Sequence, residues 1–101
     1  MKERSYRMEK VNSMLKKELA DIIMEEIALS NDNLVTVNFV DTTADLSEAK
    51  VYISTLKNEE EILDALNKQS GHIRYLLGKR IRIKKTPKLI FKKDMEFLYK
   101  P

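Results

Sequence analysis

The stretch "QSGHIRYLLGKRIRIKKTPKLIFKKD", Gln69 to Asp94, decides the fold. It opens inside a helical pattern whose apolar stripe is Ile62, Leu63, Leu66, Ile73, Leu76 and Leu77. Gln69, Ser70 and Gly71 interrupt that stripe. A glycine in a helix interior costs roughly 1 kcal/mol relative to alanine, so a kink between two helical pieces is expected there. Gly78 is placed to cap the second piece. Beyond it Ile81, Ile83, Leu89 and Phe91 share one parity and Arg82, Lys84, Lys88 and Lys92 the other, which on an extended chain separates an apolar face from a charged one. Pro87 lacks an N–H and belongs at the start of the last strand or on a sheet edge.

Upstream, Asn58 offers a side-chain cap to this helix, and Glu59, Glu60 and Glu61 favour its positive end, with Glu61 at the capping-box position. Two strands precede it, Leu34 to Val40 and Ala49 to Thr55, alternating and β-branched. The connection between them is longer than a tight hairpin and has room for one helical turn around Asp45 to Glu48. Ser30-Asn31-Asp32-Asn33 breaks the chain before the first strand. From Tyr6 to Leu29 the apolar residues Met8, Val11, Leu15, Leu19, Ile22, Ile23 and Ile27 recur every three or four positions, giving a long amphipathic helix. The order is helix, strand, strand, broken helix, strand.

The chain's 101 residues suit one domain, and 43% apolar with 35% charged residues is an ordinary globular composition. The charged N-terminus MKERSYRMEK has no apolar core of a secretory signal and no segment approaches a bilayer span, so a cytoplasmic protein without membrane contact is expected. With no cysteine, disulfides and thiolate chemistry are excluded; His72 alone builds no multi-histidine metal site. Asp41, Asp45 and Glu48 read as loop punctuation rather than a cation site, and the three glutamates as a helix start rather than acid–base groups. Without a Gly-rich phosphate loop or nucleophile elbow, an enzyme is not expected.

Charge is unevenly placed. Lys79 to Asp94 carries eight bases, Lys79, Arg80, Arg82, Lys84, Lys85, Lys88, Lys92 and Lys93, and reaches no carboxylate until its last residue. Solvated faces normally mix signs, so an acid-free run on a strand, where alternate side chains lie about 6.6 Å apart, points to a polyanion. Arg4, Arg7 and Lys10 recur every three residues on the first helix and can extend the patch, although helical amphipathicity alone also puts them there.

"VNFVDTTADLSEAKVYIS" (Val37 to Ser54) followed by Gln69 to Asp94 resembles bacterial ribosome-binding factor A, over about Arg4 to Asp94. The specific parts are Asp45-Leu46 with Ala49-Lys50-Val51-Tyr52, then Gly71-x-Ile73-Arg74 with Leu77, then Pro87-x-Leu89-x-Phe91-x-x-Asp94. The resemblance implies an α+β, type II KH-like fold, α-β-β-α(kinked)-β, as one domain over 1–101 with a three-stranded sheet covered by helices. In that family a kink, typically Ala-x-Gly, replaces the usual Gly-x-x-Gly loop. Here it reads Gln69-Ser70-Gly71, with glutamine in place of alanine. The chain ends at Pro101, and Met95-Glu96-Phe97 stands where family members tend to continue.

By the same resemblance the expected role is assembly of the small ribosomal subunit. Such a factor binds the free or immature 30S particle and 16S rRNA, assists maturation of the rRNA 5′ end, matters most in the cold, works as a monomer off the ribosome, and needs no cofactor, metal or small-molecule substrate. Arg74, Lys79, Arg80, Arg82, Lys84, Lys85, Lys88, Lys92 and Lys93 would carry the contact, with Gly71 allowing close approach. Two other readings stay open: an adapter whose basic face meets an acidic protein, and a general KH-type binder of single-stranded RNA. The missing Gly-x-x-Gly and the scarcity of aromatics near the basic run disfavour the second.

Overall fold

A computed structural model describes residues 2–27 and 34–94, with only the backbone helix described for residues 2–6. Six elements follow in order: α1 (Lys2–Glu26), β1 (Val35–Thr42), β2 (Glu48–Thr55), α2 (Glu59–Lys68), α3 (Ser70–Arg80) and β3 (Lys88–Lys93). The sheet order is β1-β2-β3, antiparallel between β1 and β2 and parallel between β2 and β3. The breaker Ser30 to Asn33, the expected end of the first helix at Leu29 and the tail from Met95 lie outside the described residues.

All three helices pack on one face of the sheet. Leu15, Leu19 and Ile22 of α1, Leu66 of α2 and Ile73 and Leu77 of α3 are fully buried against Ala49, Val51, Ile53, Leu89 and Phe91. Burying each Leu or Ile contributes about 1.5–3 kcal/mol, so the apolar stripe read from the sequence is what holds the helices down. Strand alternation sends the opposite set outward, and Phe39 and Tyr52 stack there at 4.4 Å. The outer edge of β3 is closed by Asn67 of α2, whose Oδ1 accepts the Phe91 N–H at 2.9 Å and whose Nδ2 donates to the Phe91 carbonyl at 3.1 Å. At the end of β3 the buried Asp94 accepts from Asn38 Nδ2 at 2.7 Å.

The helix breaks within the expected Gln69-Ser70-Gly71, while the role of its glycine and several other local expectations are corrected. The helix is broken at Gln69, in the sparsely allowed bridge region at φ −100°, ψ 10°, whereas Gly71 is the second residue of α3 with an ordinary negative φ. Gly78 is not a cap: α3 runs on to Arg80 and ends at extended Ile81, and a Cβ at Gly78 would come within 3.2 Å of Thr86 Oγ1. That glycine serves the close approach of the following segment. Asn58 takes a left-handed conformation, φ 57°, and makes no side-chain cap bond among the described residues; its carbonyl accepts the Ile62 N–H instead. No helical turn forms around Asp45 to Glu48. Leu46 adopts φ 63°, and Asp45 accepts from Thr43 Oγ1, Ser47 N and Ser47 Oγ at 2.7–3.1 Å, a hydrogen-bonded turn feeding Glu48 into β2.

The largest correction concerns the basic run, only part of which is strand. Lys79 and Arg80 finish α3, residues 81–87 are irregular, and β3 begins at Lys88. Pairing with β2 starts where the Lys88 N–H meets the Ser47 carbonyl, beyond which the partner has turned away into its loop. Alternation reports an extended chain, not a strand with a neighbour. Pro87 precedes β3, as expected, and is buried.

Candidate nucleic-acid interface

The bases divide by what their surroundings ask of them. Arg80 is held by α1: its Nη2 lies 2.9 Å from Glu25 Oε1 and 3.6 Å from Glu26 Oε2, its Nη1 4.0 Å from Glu18 Oε1, and its side chain is 28% exposed. The hydrogen bond that Arg80 donates to Glu25, ahead of the charges of the other acids, raises its pKa above the ordinary arginine value. Its charge is answered within the fold. Lys93 likewise meets Glu59 at 3.5 Å. Arg74 donates through Nε and Nη2 to the Thr86 carbonyl at 3.0 and 2.8 Å, tying the 81–87 segment to α3.

Arg82, Lys84, Lys85, Lys88 and Lys92 are exposed and make no ion pair among the described residues. They do not form one face. Lys88 and Lys92 alternate with core-facing Leu89 and Phe91, so they stand on the helix-free face of the sheet. Arg82 and Lys84 sit on the irregular segment after α3, alternating with buried Ile81 and half-buried Ile83. Lys85 lies close enough to Asp45 to help lower that carboxyl to about 2, after the hydrogen bonds from Ser47 and Thr43. Arg7 and Lys10 are exposed on α1, near the end where Asn12 Oδ1 accepts the Thr42 N–H; the Arg4 side chain lies outside the described residues. Gln69 and Ser70 are half-buried at the break, and His72 is exposed.

The structure also brings forward a residue that the sequence reading passed over. Tyr75 is 59% exposed, and Lys79 Nζ lies 4.9 Å from the centroid of its ring. Gly71, Arg74, Tyr75, Gly78, Lys79 and Thr86 line an open groove of about 600 Å³ on the outward side of α3. The signal was present in the spacing. With Ile73 and Leu77 facing the core, 100° per residue turns Gly71, Tyr75 and Gly78 together to the opposite side.

An α+β chain with a β1-β2-β3 sheet, helices on one face, a break between α2 and α3, and a run of bases leading from α3 into the next segment is a KH-like fold with a cationic flank. Residues 7–100 match the family model described as ribosome-binding factor A. A Prochlorococcus marinus ribosome-binding factor A is 38% identical over 96 residues, covering 90% of this chain and 74% of the relative. The crystal structure of ribosome-binding factor A from Thermus thermophilus superposes with a TM-score of 0.79 at 28% identity, over 85% of this chain and 94% of that one. A homology model of the Thermus thermophilus factor, fitted into a cryo-EM map of a complex of the 30S subunit with it, gives 0.69 at 31% identity, over 80% of this chain and 88% of that one. The chain belongs to the ribosome-binding factor A family.

Proposed function

We propose that this protein binds the free or immature small ribosomal subunit as a monomer, through 16S rRNA, and acts as one domain in the bacterial cytoplasm. Its contribution is positional rather than catalytic and uses no cofactor: it holds rRNA elements in a premature arrangement while the 5′ end of 16S rRNA is matured, a need greatest in the cold. The observation that carries this reading is the outward side of α3 and the segment after it, where Lys79, Arg82, Lys84 and Lys85 stand exposed without a single carboxylate between Gln69 and Lys93. Phosphates are the complementary surface, and neutralising them supplies sequence-independent affinity. Family membership, with a relative fitted into a map of a 30S complex, supports the small subunit as the source of that RNA.

The test is sedimentation of lysate on a sucrose gradient. Comigration with free small subunits and absence from polysomes is expected; migration with non-ribosomal protein alone would instead favour an adapter. Deletion of the gene is expected to slow growth in the cold and to accumulate precursor 16S rRNA. Normal processing in the cold would remove the maturation role.

A further inference from the structure

Tyr75 presents a large aromatic ring to solvent on a helix whose apolar residues Ile73 and Leu77 are fully buried on the other side. The only two glycines of the sequence flank it at i−4 and i+3. Neither has positive φ, and a Cβ at Gly71 would meet nothing within 4 Å among the described residues, so neither backbone conformation nor packing asks for glycine at that position. Alanine would make the better helix. What the missing side chain does is leave the ring uncovered, because a helical side chain leans toward the N-terminus over its i−4 neighbour. The groove of about 600 Å³ that results falls within the roughly 300–1,000 Å³ of small-ligand sites and suits one nucleotide rather than a duplex.

We propose that this groove takes an unpaired RNA nucleotide, its base stacked on Tyr75 and its flanking phosphates met by Lys79 and Arg74. The proposal rests on the RNA-binding reading above and names the kind of RNA that one face takes. Lys79 covers one side of the ring, so the base takes the other, over Gly71. Two of the five guanidinium N–H groups of Arg74 are spent on Thr86, and the rest remain for a phosphate. No acid lies in α3 to oppose an anion. A stacking platform selects single strands, since a duplex already buries its base faces.

The experiment measures binding of an unstructured RNA decamer carrying one 2-aminopurine, and of a duplex of equal length, to the full chain and to Tyr75→Ala and Tyr75→Phe. Tyr75→Ala is expected to lose roughly tenfold in affinity for the single strand. It should also abolish the fluorescence quenching of the stacked 2-aminopurine and leave duplex affinity and the salt slope unchanged; Tyr75→Phe should retain both signals. Circular dichroism melts check that these exposed-site variants fold. Wild-type single-strand affinity and quenching in folded Tyr75→Ala would overturn the proposal alone. Absence of any salt-dependent RNA binding by the wild type would overturn it together with the reading on which it rests. Unchanged RNA binding combined with lost comigration with small subunits would make the ring a protein contact, and the proposal wrong.

Discussion

Arg74 on α3 donates both Nε and Nη2 to the carbonyl oxygen of Thr86, at 3.0 and 2.8 Å, and this pair fixes the irregular segment that carries Arg82, Lys84 and Lys85. Arg74→Ala removes a charged donor from an exposed site and is expected to cost about 1 kcal/mol in urea unfolding. Amide exchange across residues 81–87 should accelerate while that of β2 does not, because the segment has no strand partner to hold it. Unchanged protection there would mean that Ile81 and Pro87, both buried, anchor the segment unaided.

The two glycines separate on stability. Gly71→Ala introduces a Cβ into open space within a helix and is expected to raise stability by about 0.5–1 kcal/mol while weakening RNA binding by narrowing the groove. Gly71→Val should also melt close to wild type, because the break lies at Gln69 and Gly71 is already inside α3. Gly78→Ala gains the same propensity but presses on Thr86 Oγ1, which lies 3.2 Å from the new Cβ. It should fall short of Gly71→Ala in a denaturant titration; equal gains would show that Thr86 simply turns aside.

Arg80 stands in the basic run by sequence and in the fold's internal electrostatics by structure. Arg80→Gln leaves Glu18, Glu25 and Glu26 without their shared partner, so the melting midpoint is expected to drop. The salt slope of RNA binding should not change. A slope reduced by about one unit would instead make Arg80 a phosphate contact, its carboxylate partners exchanged for RNA on binding.

Asp45 titrates at about 2 in the folded chain against an ordinary 3.8, chiefly through the Ser47 hydroxyl, then Thr43, the Ser47 amide and Lys85. Its folded pKa is lowered, so the unfolded chain binds the proton more readily; the stabilisation is full above pH 4 and is lost as pH falls from about 4 to 2. Asp45→Asn should flatten the pH dependence of stability in that window alone. An identical acid limb in the variant would place the responsible carboxylate elsewhere.

Most of the fold was legible because burial has a period. Ile62, Leu66, Ile73 and Leu77 mark the helices, and Pro87, Leu89 and Phe91, which helped carry the family resemblance, are buried core residues of the last strand and its entry. The bases of the site were legible as residue types but not as a surface. Parity placed Arg82, Lys84, Lys88 and Lys92 on one strand face, yet the first two precede the strand, and whether an extended segment finds a partner depends on where Ser47 turns, which a local pattern does not contain. Nor do Arg80 and Lys93 announce their partners, which lie 55 and 34 positions away in sequence at Glu25 and Glu59. Tyr75 was passed over for a different reason: the stripe through Ile73 and Leu77 already turned it outward, but a single exposed aromatic carries no signal until the glycines at i−4 and i+3 are seen to leave its ring open.

Contact of rRNA phosphates with the outward side of α3 and the segment after it is read out by the salt dependence of binding. Affinity for small subunits or a 16S rRNA fragment is measured across a salt series, with circular dichroism melts as the folding control. Contacts from Lys79, Arg82, Lys84 and Lys85 predict a log–log slope of roughly −3 to −4. Replacing Arg82 and Lys84 with glutamine should reduce its magnitude by about 1 to 2, whereas replacing Lys88 and Lys92, on the other face of the sheet, should change it less. An unchanged slope in the folded Arg82/Lys84 variant, or a larger loss from Lys88 and Lys92, would rule out this interface and move it to the open sheet or to Arg7 and Lys10 on α1.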